Sequence, residues 1–205
     1  MSVKVKICGI THKDDALAAV AAGADALGFM FYEKSPRYLT LSNARSIIAC
    51  LPPFISKVGV FVDPSEETVR RAVQDCGLDC IQLHGGESPR FCELFATMKV
   101  IKAFRILDAA SLADLPGYRT DAWLLDSYVP NALGGTGVQF NWALASEAKQ
   151  HGVPVVLAGG LTPKNVAAAV QRVAPFAVDV SSGVESSPGR KDPALIRRFV
   201  IAAKQ

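Results

Sequence analysis

The chain has 205 residues, half of them hydrophobic and a fifth charged, with a formal net charge of +3. That length suits one domain with a large core, and the charge balance argues against a nucleic-acid partner while suiting an anionic small substrate. The lysine-studded start has no apolar signal-peptide core, no run reaches a membrane span, and Cys8, Cys50, Cys76, Cys80 and Cys92 are odd in number and scattered. A cytoplasmic protein with reduced thiols is therefore expected.

In chain order, strand and helix patterns alternate without a break in composition. Val3–Ile7 reads as a strand with Lys4, Lys6 and Cys8 on one face, followed by an Ala-rich helix, His12–Ala22, that stops at Gly23. Asp25–Phe31 is the second strand, then a loop to Thr40 and a helix over about Ser42–Cys50. Ser56–Val62 leads through Asp63-Pro64-Ser65 into a helix ending near Cys76, and Asp79–Leu83 leads into a helix over Glu87–Ala96. Val100–Phe104 is followed by a weakly patterned helix around Ala109–Leu115. Ala122–Leu125 precedes a glycine-rich loop and a helix over Trp142–Gln150. Val153–Leu157 and Ala177–Val180 end in small residues, Ala158-Gly159-Gly160 and Ser181-Ser182-Gly183. Thr162 reads as an N-cap with Pro163 at the first helical position, and Pro193–Lys204 is the last helix.

Eight evenly spaced strand–helix units imply parallel strands with crossover helices, and as one domain over residues 1–205 they predict a closed (β/α)8 barrel. A doubly wound open sheet is the competing architecture, but the first turn, Cys8-Gly9-Ile10-Thr11, lacks the dinucleotide fingerprint. In a barrel the chemistry sits at the carboxyl ends of the strands. There the sequence places Cys8, Arg37, His84, Asp126 and the small-residue turns after strands seven and eight. Two such turns back to back expose amide N–H groups beside helix N-termini, which favours a phosphate site at Gly159, Gly160, Ser181, Ser182 and Gly183. The plainer reading is that glycine there only relieves crowding.

Lys6-Ile7-Cys8-Gly9-Ile10, Ser35-Pro36-Arg37, Gln82-Leu83-His84-Gly85, Leu125-Asp126 and Gly134-Gly135-Thr136-Gly137 occur in that order. Ala158-Gly159-Gly160-Leu161, Asp179 to Glu185 and Pro188-Gly189-Arg190-Lys191-Asp192 follow. Together they resemble the phosphoribosylanthranilate isomerases from end to end. The resemblance implies a cofactor-free Amadori rearrangement in tryptophan biosynthesis, N-(5-phosphoribosyl)anthranilate becoming 1-(2-carboxyphenylamino)-1-deoxyribulose 5-phosphate. It further implies Cys8 as base and Asp126 as acid, with substrate contacts from Arg37, Gln82, His84 and Gly135.

The chemistry does require one acid to open the ribose ring and one base to take the proton on the neighbouring carbon. The apolar run before Asp126 is expected to keep it protonated; as plain structure it is a loop or capping aspartate. Cys8 must be a thiolate, and Lys6, on the same strand face, is expected to favour it while pairing with Asp179 across strands one and eight. Cys8 is otherwise a small buried hydrophobe. Arg37 offers a fork for the anthranilate carboxylate, unless it is a surface arginine. His84 either touches substrate or caps its turn. Tyr128–Gly137 is a lid or a plain surface loop. No metal is expected, and the chain is expected to be a monomer or a homodimer. The competing functions are another sugar-phosphate isomerase or epimerase and a barrel that binds sugar phosphates without catalysis.

Overall fold

The structure is a computed structural model, and it describes residues 2–127 and 142–205. The eight apolar runs become strands β1 (Lys4–Cys8), β2 (Ala26–Met30), β3 (Ser56–Phe61), β4 (Cys80–Leu83), β5 (Lys99–Ile106), β6 (Ala122–Ser127), β7 (Val155–Leu157) and β8 (Ala177–Val180). They close into one barrel in sequence order, every neighbouring pair parallel and β8 returning to β1. The helices are α1 (Lys13–Ala21), α2 (Leu41–Ile48), α3 (Glu66–Cys76), α4 (Pro89–Glu93), α5 (Trp142–Ala148), α6 (Val166–Val173) and α7 (Pro193–Lys204). None of the described helices is long and apolar enough to cross a membrane.

Strand alternation divides the core in two. Val5, Ile7, Leu27 and Ile81 join residues of the helices, such as Ala16, Val69 and Phe199, in one large cluster. A smaller cluster of Ala103, Ala122, Leu124, Val156, Ala158 and Ala177 comes from four neighbouring strands and the residue that follows β7. Those small side chains suit the narrow interior of an eight-stranded barrel. At the amino-terminal mouth one device repeats every second strand. Asp25, Asp79 and Asp121, each just before an even-numbered strand, pair with Lys4, Lys57 and Lys99 at 2.9, 3.1 and 2.6 Å. Each aspartate also accepts the amide of Val5, Lys57 or Val100 at 2.9 Å. These staples pin the strand entries, leaving the opposite mouth for chemistry.

Four local elements depart from the sequence reading. The helix expected over Glu87–Ala96 shrinks to α4, whose start is set by Ser88, capping at Phe91 N, 3.2 Å, with Pro89 in the first turn. Glu87 is drawn out of the helix: its carboxylate accepts Asp63 N and Gly85 N and meets Lys102 Nζ at 2.8 Å. The segment after β5 splits into two 3-10 turns, Ala109–Leu112 and Leu115–Gly117, the second containing Pro116, which has no N–H to continue a helix. Thr162 does not cap α6; Asn165 holds that position, and its side chain binds Thr162 N at 2.7 Å and Gly160 O at 3.0 Å. Finally, β9 (Glu185–Ser187) and β10 (Arg190–Lys191) form an antiparallel hairpin where no strand was read. Gly189, at φ +80, supplies the left-handed residue its turn needs.

Candidate active site

Cys8 ends β1 facing inward, and Lys6 lies one inward position below it. Lys6 is aligned with Asp179 of β8, and Lys6 Nζ donates to Asp179 Oδ1 at 2.8 Å, the pairing expected from the sequence. Both side chains are almost fully buried. Cys8 is aligned with Gly28 of β2. A Cβ at position 28 would stand 2.7 Å from Cys8 Sγ and 3.0 Å from Lys6 Nζ, so the missing side chain is what makes room for both.

The expected thiolate-favouring balance at Cys8 needs correction. Burial pushes the Cys8 thiol above its ordinary value, and the nearby Asp179 carboxylate pushes the same way. The Lys6 ammonium pulls it down, with a smaller pull from Lys191, but burial wins. Burial works against the Lys6 cation, yet the charge and hydrogen bond of Asp179 outweigh that and raise it. The resting residue is therefore a thiol, with a lysine next to it that stabilises the thiolate whenever it forms.

Cys8 opens into a cavity of about 240 Å³ that Arg37, Gln82, His84 and Asp126 also line. Gln82 Nε2 lies 2.8 Å from His84 Nδ1. An amide nitrogen only donates, so Nδ1 accepts and the ring proton sits on Nε2. That Nε2 is 3.4 Å from Asp126 Oδ2. Gln82 Oε1 is buried and has no hydrogen-bond partner among the described residues. The turn carrying His84 is fastened from behind: buried Lys102 donates to Leu83 O, Gly85 O and Glu87 Oε2 at 3.3, 2.7 and 2.8 Å.

Gly159, Gly160, Ser181, Ser182 and Gly183 form another part of the same cavity wall. Gly159 and Gly160 are consecutive left-handed residues, φ +80 and +64, a conformation that turns successive amides towards one side. A Cβ on Gly183 would fall 1.9 Å from Leu161 O, so the two turns approach each other too closely for any side chain there. Gly135 and the Tyr128–Gly137 loop lie outside the described residues.

Arg37 reaches the cavity over Gly9, whose Cβ would collide with Arg37 Cδ at 2.4 Å. Its fork is not wholly open. Arg37 Nε and Nη2 donate to Glu185 Oε1 and Oε2, both at 2.7 Å. Glu185 also takes Lys191 Nζ at 2.8 Å, and Lys191 donates onward to Ser181 O at 3.2 Å. Burial alone would raise the Glu185 carboxyl, but its bonds to Arg37 and Lys191 hold it below the ordinary value. Burial lowers Lys191 despite Glu185.

Glu185, Lys191, Gly28 and Lys102 take roles here that the sequence alone does not assign. For Gly28 a signal existed, a lone glycine inside a strand pattern, which marks a close approach. Pro188-Gly189 was a turn signal from which the hairpin could have been read. Lys102 and Glu87 gave none, since both look like solvent-facing charges until the fold buries them.

A larger cavity of about 580 Å³ opens at the opposite mouth, lined by Ala26, Val58, Ile101 and Val156. Its rim charges Lys4, Asp25, Lys99 and Asp121 already pair with one another, so chemistry is assigned to the smaller cavity.

Residues 5–202 match the family model described as N-(5'-phosphoribosyl)anthranilate isomerase. The chain is 58% identical over 202 residues, 98% of each chain, to the N-(5'-phosphoribosyl)anthranilate isomerase of Geobacter sp. strain M21. Among solved structures it matches a phosphoribosylanthranilate isomerase bound to reduced 1-(o-carboxyphenylamino)-1-deoxyribulose 5-phosphate, with TM-score 0.90, 42% identity and 98% of each chain covered. It also matches monomers made from the dimeric isomerase of Thermotoga maritima, with TM-score 0.89, 40% identity and 98% of each chain covered.

Proposed function

The chain belongs to the N-(5'-phosphoribosyl)anthranilate isomerase family, and from that premise we propose how its residues divide the reaction. The protein converts N-(5'-phosphoribosyl)anthranilate into 1-(2-carboxyphenylamino)-1-deoxyribulose 5-phosphate, a step of tryptophan biosynthesis. Two hydrogens move within one molecule, so the electrons balance without an external oxidant. Asp126 protonates the ring oxygen, the ribose opens to an iminium, and the adjacent C–H becomes acidic. Cys8, in the thiolate form that Lys6 stabilises, removes that proton to become the thiol, and the enolamine tautomerises to the ketone.

The observation that carries this reading is the placement of Cys8 and Asp126. They sit on well-separated strands, β1 and β6, yet line one cavity with the two small-residue turns. Gly159, Gly160, Ser181, Ser182 and Gly183 take the phosphate; Gly135, by resemblance, contacts substrate. His84 Nε2–H supports the carboxylate that Asp126 becomes after giving up its proton. Gln82 Oε1, a buried acceptor without a partner among the described residues, receives a sugar hydroxyl. Arg37 reads the anthranilate carboxylate through the donors that Glu185 leaves open. Purified protein should quench the anthranilate-type fluorescence of phosphoribosylanthranilate, and Cys8→Ala and Asp126→Asn should each lower kcat by roughly 10²–10⁴ while product affinity stays within about tenfold. Tight product binding without turnover in the wild type would mean a binding barrel instead.

The same premise extends to assembly. Phe54 is 96% exposed beside the larger, apolar cavity, and Phe176 on its rim is also exposed. A ring next to a hollow on one face is self-complementary under two-fold symmetry, so we propose a homodimer in which each Phe54 enters the partner's cavity. Sedimentation should show a dimer that Phe54→Asp splits; a wild-type monomer at tens of micromolar overturns it.

A further inference from the structure

An arginine on a loop ordinarily samples many rotamers, and losing that freedom on binding weakens its grip on a ligand. Arg37 is confined before any ligand arrives. Its stem crosses the end of β1 through the space that Gly9 leaves, and its side-on face, Nε and Nη2, is taken by both oxygens of Glu185 at 2.7 Å. Glu185 is itself buried, its side chain 5% exposed, and Lys191, with no exposed side-chain surface, holds it at 2.8 Å. Lys191 is fixed in turn: its Nζ reaches Ser181 O at 3.2 Å and its amide reaches Asp15 Oδ2 at 2.9 Å. A continuous chain thus runs Ser181–Lys191–Glu185–Arg37, from a turn assigned to phosphate to the guanidinium assigned to the carboxylate.

We propose that Glu185 is a positioning residue that fixes Arg37 in a single docking mode and thereby sets the enzyme's preference for a carboxylate on the aromatic ring. With the side-on face occupied, only the end-on donors remain, both hydrogens of Nη1 and the second of Nη2. A carboxylate meeting that edge is gripped bidentately at one orientation and at a fixed distance from the Ser181 turn. Charge supports the same role. Arg37 and Lys191 bring two positive charges and Glu185 cancels one, so the cluster offers a single net positive charge to one carboxylate. This inference rests on Arg37 reading the carboxylate.

The test is binding of two probes to the wild type, Arg37→Ala, Glu185→Gln and the double variant. One probe is the reaction product; the other is the same molecule with hydrogen in place of the aryl carboxylate. Glu185→Gln should lower the preference for the carboxylated probe at least tenfold and leave the other probe's Kd unchanged. In the Arg37→Ala background it should cost nothing further, as two residues acting through one contact require. If Arg37→Ala abolishes the preference and Glu185→Gln does not, Glu185 positions nothing and Arg37 keeps its role. If neither variant changes the preference, the reading of Arg37 fails as well. Equal weakening of both probes by Glu185→Gln means a purely structural part, which also overturns the proposal. Should Glu185→Gln fail to fold with Lys191 unpaired, Glu185→Asp keeps the charge but withdraws the oxygens by one methylene. It should lower the same preference, and an unchanged preference is equally fatal.

Discussion

Gly28→Ala tests the geometry of the proposed base more cleanly than removing Cys8 does. Position 28 lies in the extended backbone of β2, where alanine is at least as acceptable as glycine, so the backbone raises no objection. The objection is local. The new methyl would stand 2.7 Å from Cys8 Sγ and 3.0 Å from Lys6 Nζ, whereas ordinary contact begins near 3.4 Å. Sγ must therefore retreat by about 0.7 Å and Nζ by about 0.4 Å, in an interior that is already filled. Lys6 has little room to yield, because Asp179 holds it at 2.8 Å on the other side. Overpacking of this kind costs about 1–3 kcal/mol of stability. A displacement of that size at a reacting atom costs up to about 10²-fold in rate. The variant should fold, bind the product with near-normal affinity, and lose roughly ten- to a hundredfold in kcat. The assay pairs steady-state fluorescence kinetics with product titration and a thermal melt. A stable variant with unchanged kcat would show that the placement of Sγ and Nζ does not limit catalysis.

Three further outcomes follow from other parts of the site. Because burial raises the Cys8 thiol, its alkylation by iodoacetamide, read on the Cys8 peptide by mass, should gain speed only above the ordinary thiol value of about 8.5. Lys6→Met removes the strongest thiolate-favouring group and frees the opposing charge of Asp179, so the midpoint should move higher still; one below that of free cysteine would contradict the assignment. A Cβ at Gly160 meets nothing within 4 Å, and its left-handed backbone, strained for most side chains, is one that aspartate adopts more readily than most. Gly160→Asp should therefore raise KM through charge repulsion at a backbone cost of no more than about 1–2 kcal/mol, while Gly183→Ala, running into Leu161 O, should destabilise by about 1–3 kcal/mol or more. An unfolded Gly160→Asp with a stable Gly183→Ala would reverse the roles given to the two turns. Lys102→Met strands the buried Glu87 carboxylate and should cost about 3–5 kcal/mol in chemical denaturation, with KM rising as the His84 turn loosens; a loss under 1 kcal/mol would remove its fastening role.

The sequence by itself determined the barrel, because eight evenly spaced apolar runs, each followed by a crossover segment, leave parallel strands almost no other closure. It also determined which residues reach the carboxyl-terminal mouth, since strand alternation places Lys6 and Cys8 on one face and the strand ends carry His84 and Asp126. Even the Lys6–Asp179 pair was legible, as strands one and eight must be neighbours once the barrel closes. The tertiary structure alone decided the energies and the angles. Whether Cys8 rests as a thiol depends on burial outweighing Lys6, and desolvation is a property of the closed barrel, invisible in the spacing of the two residues. Which face of Arg37 is open depends on Glu185, 148 positions away and brought round by a hairpin. Long-range ion pairs of this kind leave no local periodicity to read. The same holds for Glu87, which as a lone residue belongs in a helix, and which the amides of Asp63 and Gly85 and the buried Lys102 recruit for the turn that carries His84.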